Sequence, residues 1–347
     1  MLLSIIIPTY NEVKNIKEAI NSCLCQEKID LKQVEIIIVD GDSTDGTQNV
    51  VKSMIVGNQI KLIKNQYRYM PHGFNKGLTI ASGRYIMVMS GHSILKNDYI
   101  CNSLKAMKKY DAQCVSGSID TIQENYLGRI ISISQSTIFG VGNSTSRINV
   151  KEGKYVESGV FGFYKSRIFL QIGGMDEELI KNQDDEFNYR LIQNGGKIWF
   201  DPSIKSKYFS RQTLIKLFKQ YFYYGLYKVR VFQKRRGVAA IRQLIPFIFV
   251  TSLFASMMLK ILTNNSIFLI LNFGIYTIIN FIFSYISIRN RKESYLSIPI
   301  LQCSYFILHF SYGFGFILGL IYFIFKWNRT GTLDNNFDKN YFAENNS

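Results

Sequence analysis

Three long apolar stretches lie in the last third of the sequence, and they constrain the fold more than any other feature. The first, Leu244–Leu262, carries one charge, Lys260, and the second, Ile267–Ile288, carries none. The third, Leu296–Phe325, is also uncharged. Because about 20 apolar residues cross the hydrocarbon core of a bilayer, the first two predict transmembrane helices. The third predicts either one tilted helix or two short segments broken near Ser311–Gly315.

Positive charge collects directly before the first apolar stretch. The chain has a net charge of +16, and eleven basic residues with no acidic one fall between Lys205 and Arg242. Basic residues beside a span stay cytoplasmic, so the pattern predicts residues 1–243 inside the cell and a hairpin with its tip outside. Anionic lipid headgroups explain such a cluster at a membrane better than nucleic acid does. The sequence therefore predicts a multi-pass protein of the cell membrane that binds anionic lipids and no nucleic acid.

The chain before the apolar stretches alternates between strand and helix patterns. The predicted strands are the apolar runs Ser4–Pro8, Val34–Val39, Ile60–Ile63 and Arg84–Met89. The predicted helices are Asn11–Cys23 with Asn11 as its cap, Thr47–Met54 and Phe74–Ala81. This alternation predicts an α/β fold with a mostly parallel sheet and helices on both faces. In such a sheet the ligand binds beyond the carboxyl ends of the strands.

Polar residues follow the first two predicted strands. The segment Thr9–Glu12 comes after the first, and Asp40–Thr47, with three carboxylates and two glycines, comes after the second. A helix beginning near Thr47 would offer N–H groups to an anion, and the carboxylates suit the hydroxyl and N–H donors of a nucleoside. A turn with helix-capping Ser, Thr and Asp explains the same residues. The sequence has no G-x-G-x-x-G after the first strand and no P-loop motif, which disfavours a dinucleotide dehydrogenase and a P-loop enzyme.

Four segments, taken in order, resemble the family 2 glycosyltransferases. They are SIIIPTYNE, IIIVDGDSTDGT, NKGLTIASGRYIMVM and GGMDEELIKNQDDEFNYRLIQNGGKIWFDPSI. The resemblance covers residues 4 to about 230. It is strongest to bacterial exopolysaccharide enzymes of the succinoglycan type, which share HGFNKG-, QDDEFNYR- and KQYFYYG-like segments and C-terminal membrane spans. It implies the GT-A fold, whose Rossmann-like sheet binds an NDP-sugar, and it favours a UDP-sugar as the donor. It also implies an inverting transfer to a lipid-linked or growing polysaccharide acceptor at the cytoplasmic face of the membrane.

The resemblance and the apolar pattern together predict the domain organisation. Residues 1–230 form the GT-A domain, with a nucleotide-sugar half at about 1–95 and an acceptor half at about 96–230. Residues 231–243 form a basic juxtamembrane linker. The transmembrane region, 244–328, holds helices at about 244–262, 267–288 and 296–325, and residues 329–347 form a polar tail.

The resemblance also assigns individual residues. Donor binding maps onto Pro8, Tyr10, Glu12, Asp40, Asp42, Asn75, Gly77 and His92. Of these, Asn75 and Gly77 match the family's N-x-G segment near the ribose and diphosphate. Site-orienting positions map onto Glu186 and Arg190, and the segment that closes over the donor maps onto Gln220 and Tyr224.

The acidic run NQDDEFNYR supplies the catalytic candidate. The resemblance aligns Asp184 with the general base, and the neighbouring Asp185 is the alternative. A sugar hydroxyl has a pKa far above 7, so its attack on an anomeric carbon needs a positioned proton acceptor. One base suits an inverting displacement, whereas a retaining glycosidase needs two carboxylates about 5–5.5 Å apart. The same acids also suit the first turn of a helix. Two glycine-containing segments, Gly159–Gly162 and Gly173–Glu177, resemble the wall under the acceptor.

The sequence departs from the family after the fourth predicted strand. The family has Asp-x-Asp there, which holds a divalent cation on the diphosphate, and the succinoglycan type has Asp-x-His; this chain has Ser90-Gly91-His92. A hydroxyl is a poor ligand for a hard cation. Either Mg²⁺ or Mn²⁺ binds through His92, the phosphates and water, or basic side chains neutralise the diphosphate. The third alternative is a weak or inactive sugar-nucleotide-binding partner in a polysaccharide assembly complex.

Overall fold

The computed structural model describes residues 1–123, 125–142, 144–148, 150–209, 212–237 and 241–327. The predicted polar tail lies outside the described residues. The chain forms two compact units. The first unit contains residues 1–120 and 149–209, and the second contains residues 121–148 and 210–330. The second unit therefore takes an internal segment, 121–148, and the described residues from 212 to 327, so it starts before the predicted boundary at 230.

The chain opens with alternating strands and helices, as predicted. These elements are β1 (Leu3–Thr9), α1 (Ile16–Leu24), β2 (Val34–Asp40), α2 (Thr47–Met54), β3 (Ile60–Lys64), α3 (Met70–Leu78) and β4 (Tyr85–Val88). Strand β1 pairs in parallel with β2 and β4, and β2 pairs in parallel with β3. The order β3-β2-β1-β4 brings the carboxyl ends of β1 and β2 together at one edge of the sheet.

The following strands make the sheet mixed. The next elements are β5 (Ser93–Leu95), α4 (Tyr99–Lys109), β6 (Cys114–Ile122), α5 (Tyr126–Ser134), α6 (Ile138–Val141), β7 (Lys154–Tyr155), β8 (Phe163–Lys165), α7 (Arg167–Ile172), α8 (Gln183–Gln193) and β9 (Ile198–Phe209). The sheet order is β3-β2-β1-β4-β8-β6-β9-β5, with β7 beside β9. Strand β8 is antiparallel to β4 and β6, and β9 is antiparallel to β5 and β7. The parallel strands β1 to β4 are thus followed by a strand, β8, that runs antiparallel to β4.

Helices cover both faces of the sheet, as predicted. Side chains of a strand alternate between its two faces, so Ile5 and Ile7 pack on one side and Ile6 on the other. Residues of α1, α2 and α4 cover the first side. Residues of α3, α7 and α8 cover the second. Burial on both faces explains why β1 and β2 are almost uninterrupted apolar runs.

Two predicted helix starts were wrong. Helix α1 begins at Ile16 rather than at Asn11, which has a left-handed backbone with φ +54°. The side-chain oxygen of Asn11 accepts a hydrogen bond from the Thr44 N–H at 2.9 Å, so this side chain holds a neighbouring loop instead of capping a helix. Helix α3 begins at Met70, four residues before the predicted start, because Pro71 suits the first turn of a helix.

The second unit is helical and carries the apolar stretches. Besides α5 and α6 it contains α9 (Leu214–Arg235), α10 (Ile245–Thr263), α11 (Ile267–Arg291) and α12 (Ile298–Tyr322). In the part of the chain that the structure describes, three helical segments are long and apolar enough to cross a membrane: Ile241–Thr263, Ile267–Arg291 and Tyr295–Tyr322. The last apolar stretch is one unbroken helix, which decides between the two alternatives for it.

Helix α12 is the most buried of the three apolar helices, because α9 packs against it at backbone distance. A Cβ atom added to Gly225 of α9 would lie 2.0 Å from the carbonyl oxygen of Tyr312. One added to Gly315 would lie 2.1 Å from the carbonyl oxygen of Phe222. Glycine at these positions lets the two helices approach more closely than any other residue would allow.

Candidate functional site

The loops after β1 and β2 form one structure at the carboxyl edge of the parallel strands. The Gly41 N–H donates to the Thr9 carbonyl at 2.7 Å, and the Asn11 N–H donates to the Ser43 hydroxyl at 2.9 Å. With the bond from Thr44 to the Asn11 side chain, these contacts fix the two loops to each other. The residues predicted to bind a donor from β1 and β2 are therefore brought to one place.

Asp45 holds the start of α2. Its Oδ1 accepts hydrogen bonds from the Thr47 N–H at 3.0 Å and the Thr47 hydroxyl at 2.5 Å, and its Oδ2 accepts from the Val13 N–H at 3.0 Å. Slight burial alone would raise the pKa of Asp45, but the hydrogen bonds from Thr47 and Val13 outweigh it and lower the pKa. Of the three carboxylates in this loop, Asp45 has the capping role that the turn explanation predicts.

Asp40 has one carboxylate oxygen engaged and one without a partner. Its Oδ2 accepts hydrogen bonds from the Ser43 N–H at 2.9 Å and from Gln48 Nε2 at 2.7 Å. Its Oδ1 is buried and has no hydrogen-bond partner. A buried unsatisfied acceptor is costly, and a ligand N–H or hydroxyl would satisfy it. Asp42 is different, since it is half-exposed and pairs with Lys64 Nζ at 3.0 Å.

Arg68 joins the site from the loop after β3, and the sequence analysis missed it. Its guanidinium carbon lies 5.4 Å from the centroid of the Tyr10 ring. The Arg68 backbone has φ +62° and packs against Gly41, where an added Cβ would lie 3.0 Å from the Arg68 Cα. No motif marks this residue, and its sequence signal is only a cation following the third strand at the same sheet edge.

Ser90 and His92 meet Glu12 after β4. The His92 Nδ1 lies 2.5 Å from Glu12 Oε1, and the Ser90 hydroxyl lies 3.0 Å from the same ring nitrogen. Gly91 permits this approach, because an added Cβ would lie 3.2 Å from Glu12 Cγ. The imidazole ring also packs edge-on against Tyr208 of β9, with 4.8 Å between centroids. Two predicted donor-site residues, Glu12 after β1 and His92 after β4, are thus in contact.

These side chains do not form a protein-built divalent cation site. Within the described ranges, no group of three or more His, Cys, Asp and Glu side chains could hold a metal ion. A hydroxyl stands at Ser90, and His92 is already bonded to Glu12. Mg²⁺ at a substrate diphosphate usually takes one or two carboxylates, with phosphate oxygens and waters as its other ligands, and neither Ser90 nor His92 supplies a carboxylate.

Helix α3 packs closely on β1 through two glycines. A Cβ at Gly73 would lie 3.0 Å from Pro8 Cβ, and one at Gly77 would lie 2.5 Å from Ile6 Cγ2. Gly77 therefore serves the contact between helix and sheet. Asn75 is buried and directs its amide to the loop after α7, donating to the Met175 carbonyl at 2.8 Å and to Glu177 Oε1 at 2.9 Å.

The acidic run begins α8, as predicted. Asp184, Asp185 and Glu186 lie in its first turn. Asp185 Oδ1 accepts a hydrogen bond from the Ser158 hydroxyl at 2.8 Å. Glu186 is buried and binds Arg190 through two contacts, of 2.6 Å to Nε and 2.8 Å to Nη2. Glu186 and Arg190 thus form an internal pair one turn apart on the helix.

Asp184 acts electrostatically on Tyr164 of β8. The Tyr164 hydroxyl donates to Asn188 Oδ1 of α8 at 3.1 Å. Burial raises the pKa of this hydroxyl well above its usual value, and the negative charge of Asp184 adds to the effect. Tyr164 is paired with Ile86 of β4, the strand that leads to His92. The start of α8 therefore lies over the strand next to the one that ends at the donor residues.

The two remaining predicted residues lie in the second unit. Gln220 and Tyr224 are one turn apart on α9, and Gln220 Nε2 donates to the Tyr224 hydroxyl at 3.1 Å. Gln135, which follows α5, also lies 3.4 Å from Gln220. These contacts are internal to the second unit, and the role of this pair in closing over a donor stays a prediction.

Comparison with known proteins agrees with this geometry. The sequence pattern of Glycosyl transferase family 2 matches residues 4–173. The chain is also 31% identical over 328 residues to the dolichyl N-acetyl-alpha-D-glucosaminyl phosphate 3-beta-D-2,3-diacetamido-2,3-dideoxy-beta-D-glucuronosyltransferase of Methanococcus voltae, covering 92% of this chain and 97% of the relative. This chain belongs to glycosyltransferase family 2. It is accordingly a glycosyltransferase, as the sequence predicted.

Two further comparisons confirm the predicted resemblance and the GT-A fold. The chain is 26% identical over 245 residues to the succinoglycan biosynthesis protein ExoA of Rhizobium meliloti (strain 1021), covering 70% of this chain and 73% of the relative. It superposes with a TM-score of 0.51 on a mannosyltransferase of Pyrobaculum calidifontis solved in complex with GDP-Man and Mn²⁺, at 14% identity, covering 95% of this chain and 76% of that one. The relatives come from an archaeon and a bacterium, so they do not restrict the source to bacteria.

Proposed function

We propose that this glycosyltransferase transfers a sugar from a UDP-sugar to a lipid-linked acceptor at the cytoplasmic face of the membrane, with inversion at the anomeric carbon. The observation that carries the proposal is the full-length relative, which covers 92% of this chain and is named for transfer to a dolichyl-linked sugar phosphate. A growing polysaccharide is the other acceptor that the resemblance implies. The three apolar helices support an acceptor that lies in a bilayer.

The nucleotide end of the donor is assigned to the loops after β1, β2 and β3. The buried, unpartnered Oδ1 of Asp40 would accept an N–H of the base. The Tyr10 ring offers an apolar face for stacking, and Arg68 beside it offers a positive charge to the diphosphate. His92, whose Nδ1 is bonded to Glu12, lies at the same edge where the fourth strand ends. All of these groups belong to the first unit.

The transfer step requires one carboxylate. The acceptor hydroxyl attacks the anomeric carbon as its proton passes to Asp184, a new C–O bond forms, and the bond from the anomeric carbon to the diphosphate breaks. UDP leaves with the electron pair of that bond. Arg68 stabilises the negative charge that develops on the diphosphate, and electrostatic stabilisation of this kind is usually the largest single contribution to such catalysis. Asp185, which accepts a hydrogen bond from Ser158, is the alternative base.

The orientation in the membrane follows from the charges beside the spans. Arg289, Arg291 and Lys292 follow the second apolar stretch, and the basic run up to Arg242 precedes the first, whereas the link at 263–266 has no charge. Lys and Arg beside spans stay in the cytoplasm, so both ends of the α10–α11 hairpin face the cytoplasm. The first unit then has access to cytoplasmic nucleotide sugars.

A panel of nucleotide sugars tests the donor assignment. The full chain in detergent is heated with UDP-, GDP- and dTDP-linked sugars, and a specific donor raises the unfolding midpoint by mass action. The donor so found is then supplied with a polyprenyl phosphate sugar, and transfer is followed by mass spectrometry. We expect a UDP-sugar to stabilise the protein and to be consumed. Stabilisation by a GDP-sugar alone would overturn the donor class.

Ser90 favours one other function, that of a partner which binds a sugar nucleotide without turnover. A hydroxyl replaces the carboxylate that the resemblance leads one to expect at this position. This alternative predicts that a nucleotide sugar binds but that no acceptor consumes it. Calorimetry that shows binding, together with the absence of transfer to both lipid-linked and polysaccharide acceptors, would support it over the enzyme.

A further inference from the structure

Asn75 uses nearly all of its hydrogen-bonding groups to bind one loop, the segment that follows α7. Its two N–H groups reach the Met175 carbonyl at 2.8 Å and Glu177 Oε1 at 2.9 Å, and its Oδ1 accepts from the Met175 N–H at 2.8 Å. An amide side chain has two donors and two lone pairs, so one lone pair remains. The residue is also 7% exposed. A side chain so engaged has little left with which to bind a ribose or a diphosphate.

The same loop is held from its other side by the helix that carries the catalytic candidate. Arg190 of α8 donates to the carbonyl oxygens of Ile172 and Gly174, the latter at 2.8 Å, and Glu186 fixes the guanidinium. Gly174 is pressed against Asn75, because an added Cβ would lie 2.4 Å from the Asn75 Oδ1. The loop 172–177 is thus bonded to α3 through Asn75 and to α8 through Arg190.

Helix α3 is in turn fixed to the donor strand. Gly73 and Gly77 lie one turn apart on it and contact Pro8 and Ile6 of β1. Neither contact leaves room for a larger residue at ordinary van der Waals distance. A continuous series of contacts therefore fixes α8 relative to β1. It runs from β1 through α3 and Asn75 to the loop 172–177, and from that loop to α8.

We propose that Asn75 is a positioning residue that sets the distance between the donor-binding edge and the carboxylates of α8, rather than a donor ligand. The inference rests on the proposed function, because it assumes that the donor lies at the end of β1 and the base at the start of α8. A displacement of a catalytic group by about 1 Å can cost about 100-fold in rate. Asn75 acts through its loop, and it need not touch either substrate.

Two substitutions that act from opposite sides of the contact test the proposal. Asn75→Ala removes the three hydrogen bonds, and Gly174→Ala leaves Asn75 in place but pushes the loop away from it. In the full chain, we expect both to lower kcat by about 10- to 100-fold while the Kd for UDP, measured by calorimetry, stays within about twofold of the wild type. Asn75→Asp keeps the acceptor for the Met175 N–H but sets a carboxylate oxygen against the Met175 carbonyl and Glu177, so it should lower kcat at least as much as Asn75→Ala.

Thr79→Ala is the matched control. Thr79 closes the same helix, and its hydroxyl bonds to the Lys76 carbonyl of that helix. We expect wild-type values for kcat and for UDP binding. The unfolding midpoint of each variant is measured as well, so that a displaced catalytic group can be told from an unfolded protein. If Asn75→Ala does not fold, Gly174→Ala and Asn75→Asp test the proposal.

Different outcomes would overturn the proposal. A Kd for UDP that rises tenfold or more in Asn75→Ala, with kcat retained, would make Asn75 a donor ligand. Wild-type kcat in both Asn75→Ala and Gly174→Ala would remove any role for the contact. Failure of the proposed function is distinguishable, because the unaltered protein would then bind no UDP or transfer no sugar.

Discussion

At the scale of single residues, the structure separates groups that hold the fold from groups that are available to a ligand. Asp45 and Asp40 lie five residues apart in one loop, yet Asp45 is engaged with the start of α2 while one oxygen of Asp40 has no partner. The sequence predicted the acidic loop but could not tell which aspartate caps the helix and which is left for a ligand. Both roles depend on which N–H groups the neighbouring loop presents. The same limit explains why Arg68 was missed.

Arg68 is expected to strengthen donor binding. The Arg68→Ala variant removes the positive charge that lies over the Tyr10 ring, and charge-assisted hydrogen bonds contribute about 1.5–3 kcal/mol, so we expect the Kd for UDP to rise about tenfold or more. Lys52→Ala is the control, since Lys52 is an exposed cation on α2 and should change the Kd less than twofold. Calorimetry on the full chain measures both. Equal Kd values in the two variants would show that Arg68 does not face the donor.

Glu35 is expected to stabilise the fold without affecting catalysis, because it lies at the start of β2, away from the carboxyl edge. Burial alone would raise its pKa, but hydrogen bonds from Lys61 Nζ, Ser4 and Ser82 outweigh burial and lower the pKa. A lowered pKa in the folded state means that the stabilisation is present at neutral pH and is lost as the pH falls through the folded pKa. Glu35→Gln should therefore cost about 1–2 kcal/mol at pH 7.

The unfolding midpoint measured against pH checks this assignment. The difference between the wild type and Glu35→Gln should be largest near pH 7 and should shrink below about pH 4, the ordinary range for a glutamate. The kcat of the folded variant should equal that of the wild type. A difference in midpoint that stays constant down to pH 3 would refute the assigned charge.

At the scale of elements, the sequence pattern succeeded where hydrophobic runs were long and bounded. Helix α2 was predicted at its observed bounds, and β1 to β4 within two residues of theirs. The strands β5, β7 and β8 have only two or three residues each, too few for a periodic pattern, and their antiparallel pairing depends on contacts remote in sequence. The start of α1 was wrong because Asn11 bonds to a loop 33 residues away.

Close packing of α9 on α12 gives the prediction for this scale. Gly225→Ala would place a Cβ 2.0 Å from the Tyr312 carbonyl oxygen, and backbone cannot yield as a flexible side chain can. We expect a loss of about 1–3 kcal/mol, seen as a lower unfolding midpoint in detergent. Gly274→Ala on α11 is the matched control, because nothing lies within 4 Å of its added Cβ and the midpoint should not fall. Equal midpoints would contradict the tight packing.

At the scale of the whole molecule, the chain combines an α/β unit with a helical unit, and the two units differ strongly in net charge. The sequence predicted the two kinds of structure, because membrane spans and alternating strands and helices both produce local patterns of hydrophobic residues. It did not predict that residues 121–148 leave the first unit to join the second, since no compositional change marks them. The candidate site was predicted in outline through the order of its motifs, whereas the contact of His92 with Glu12 links positions 80 residues apart.

The proposed mechanism depends most directly on which carboxylate of α8 accepts the proton. Asp184→Asn and Asp185→Asn differ by one residue in the same helical turn, so each is the other's control. The full chain is assayed with its donor and acceptor, and calorimetry with UDP confirms that each variant still binds. We predict that Asp184→Asn lowers kcat by about 100- to 10,000-fold and that Asp185→Asn has a smaller effect. Near-normal turnover by Asp184→Asn, with UDP binding intact, would contradict the account.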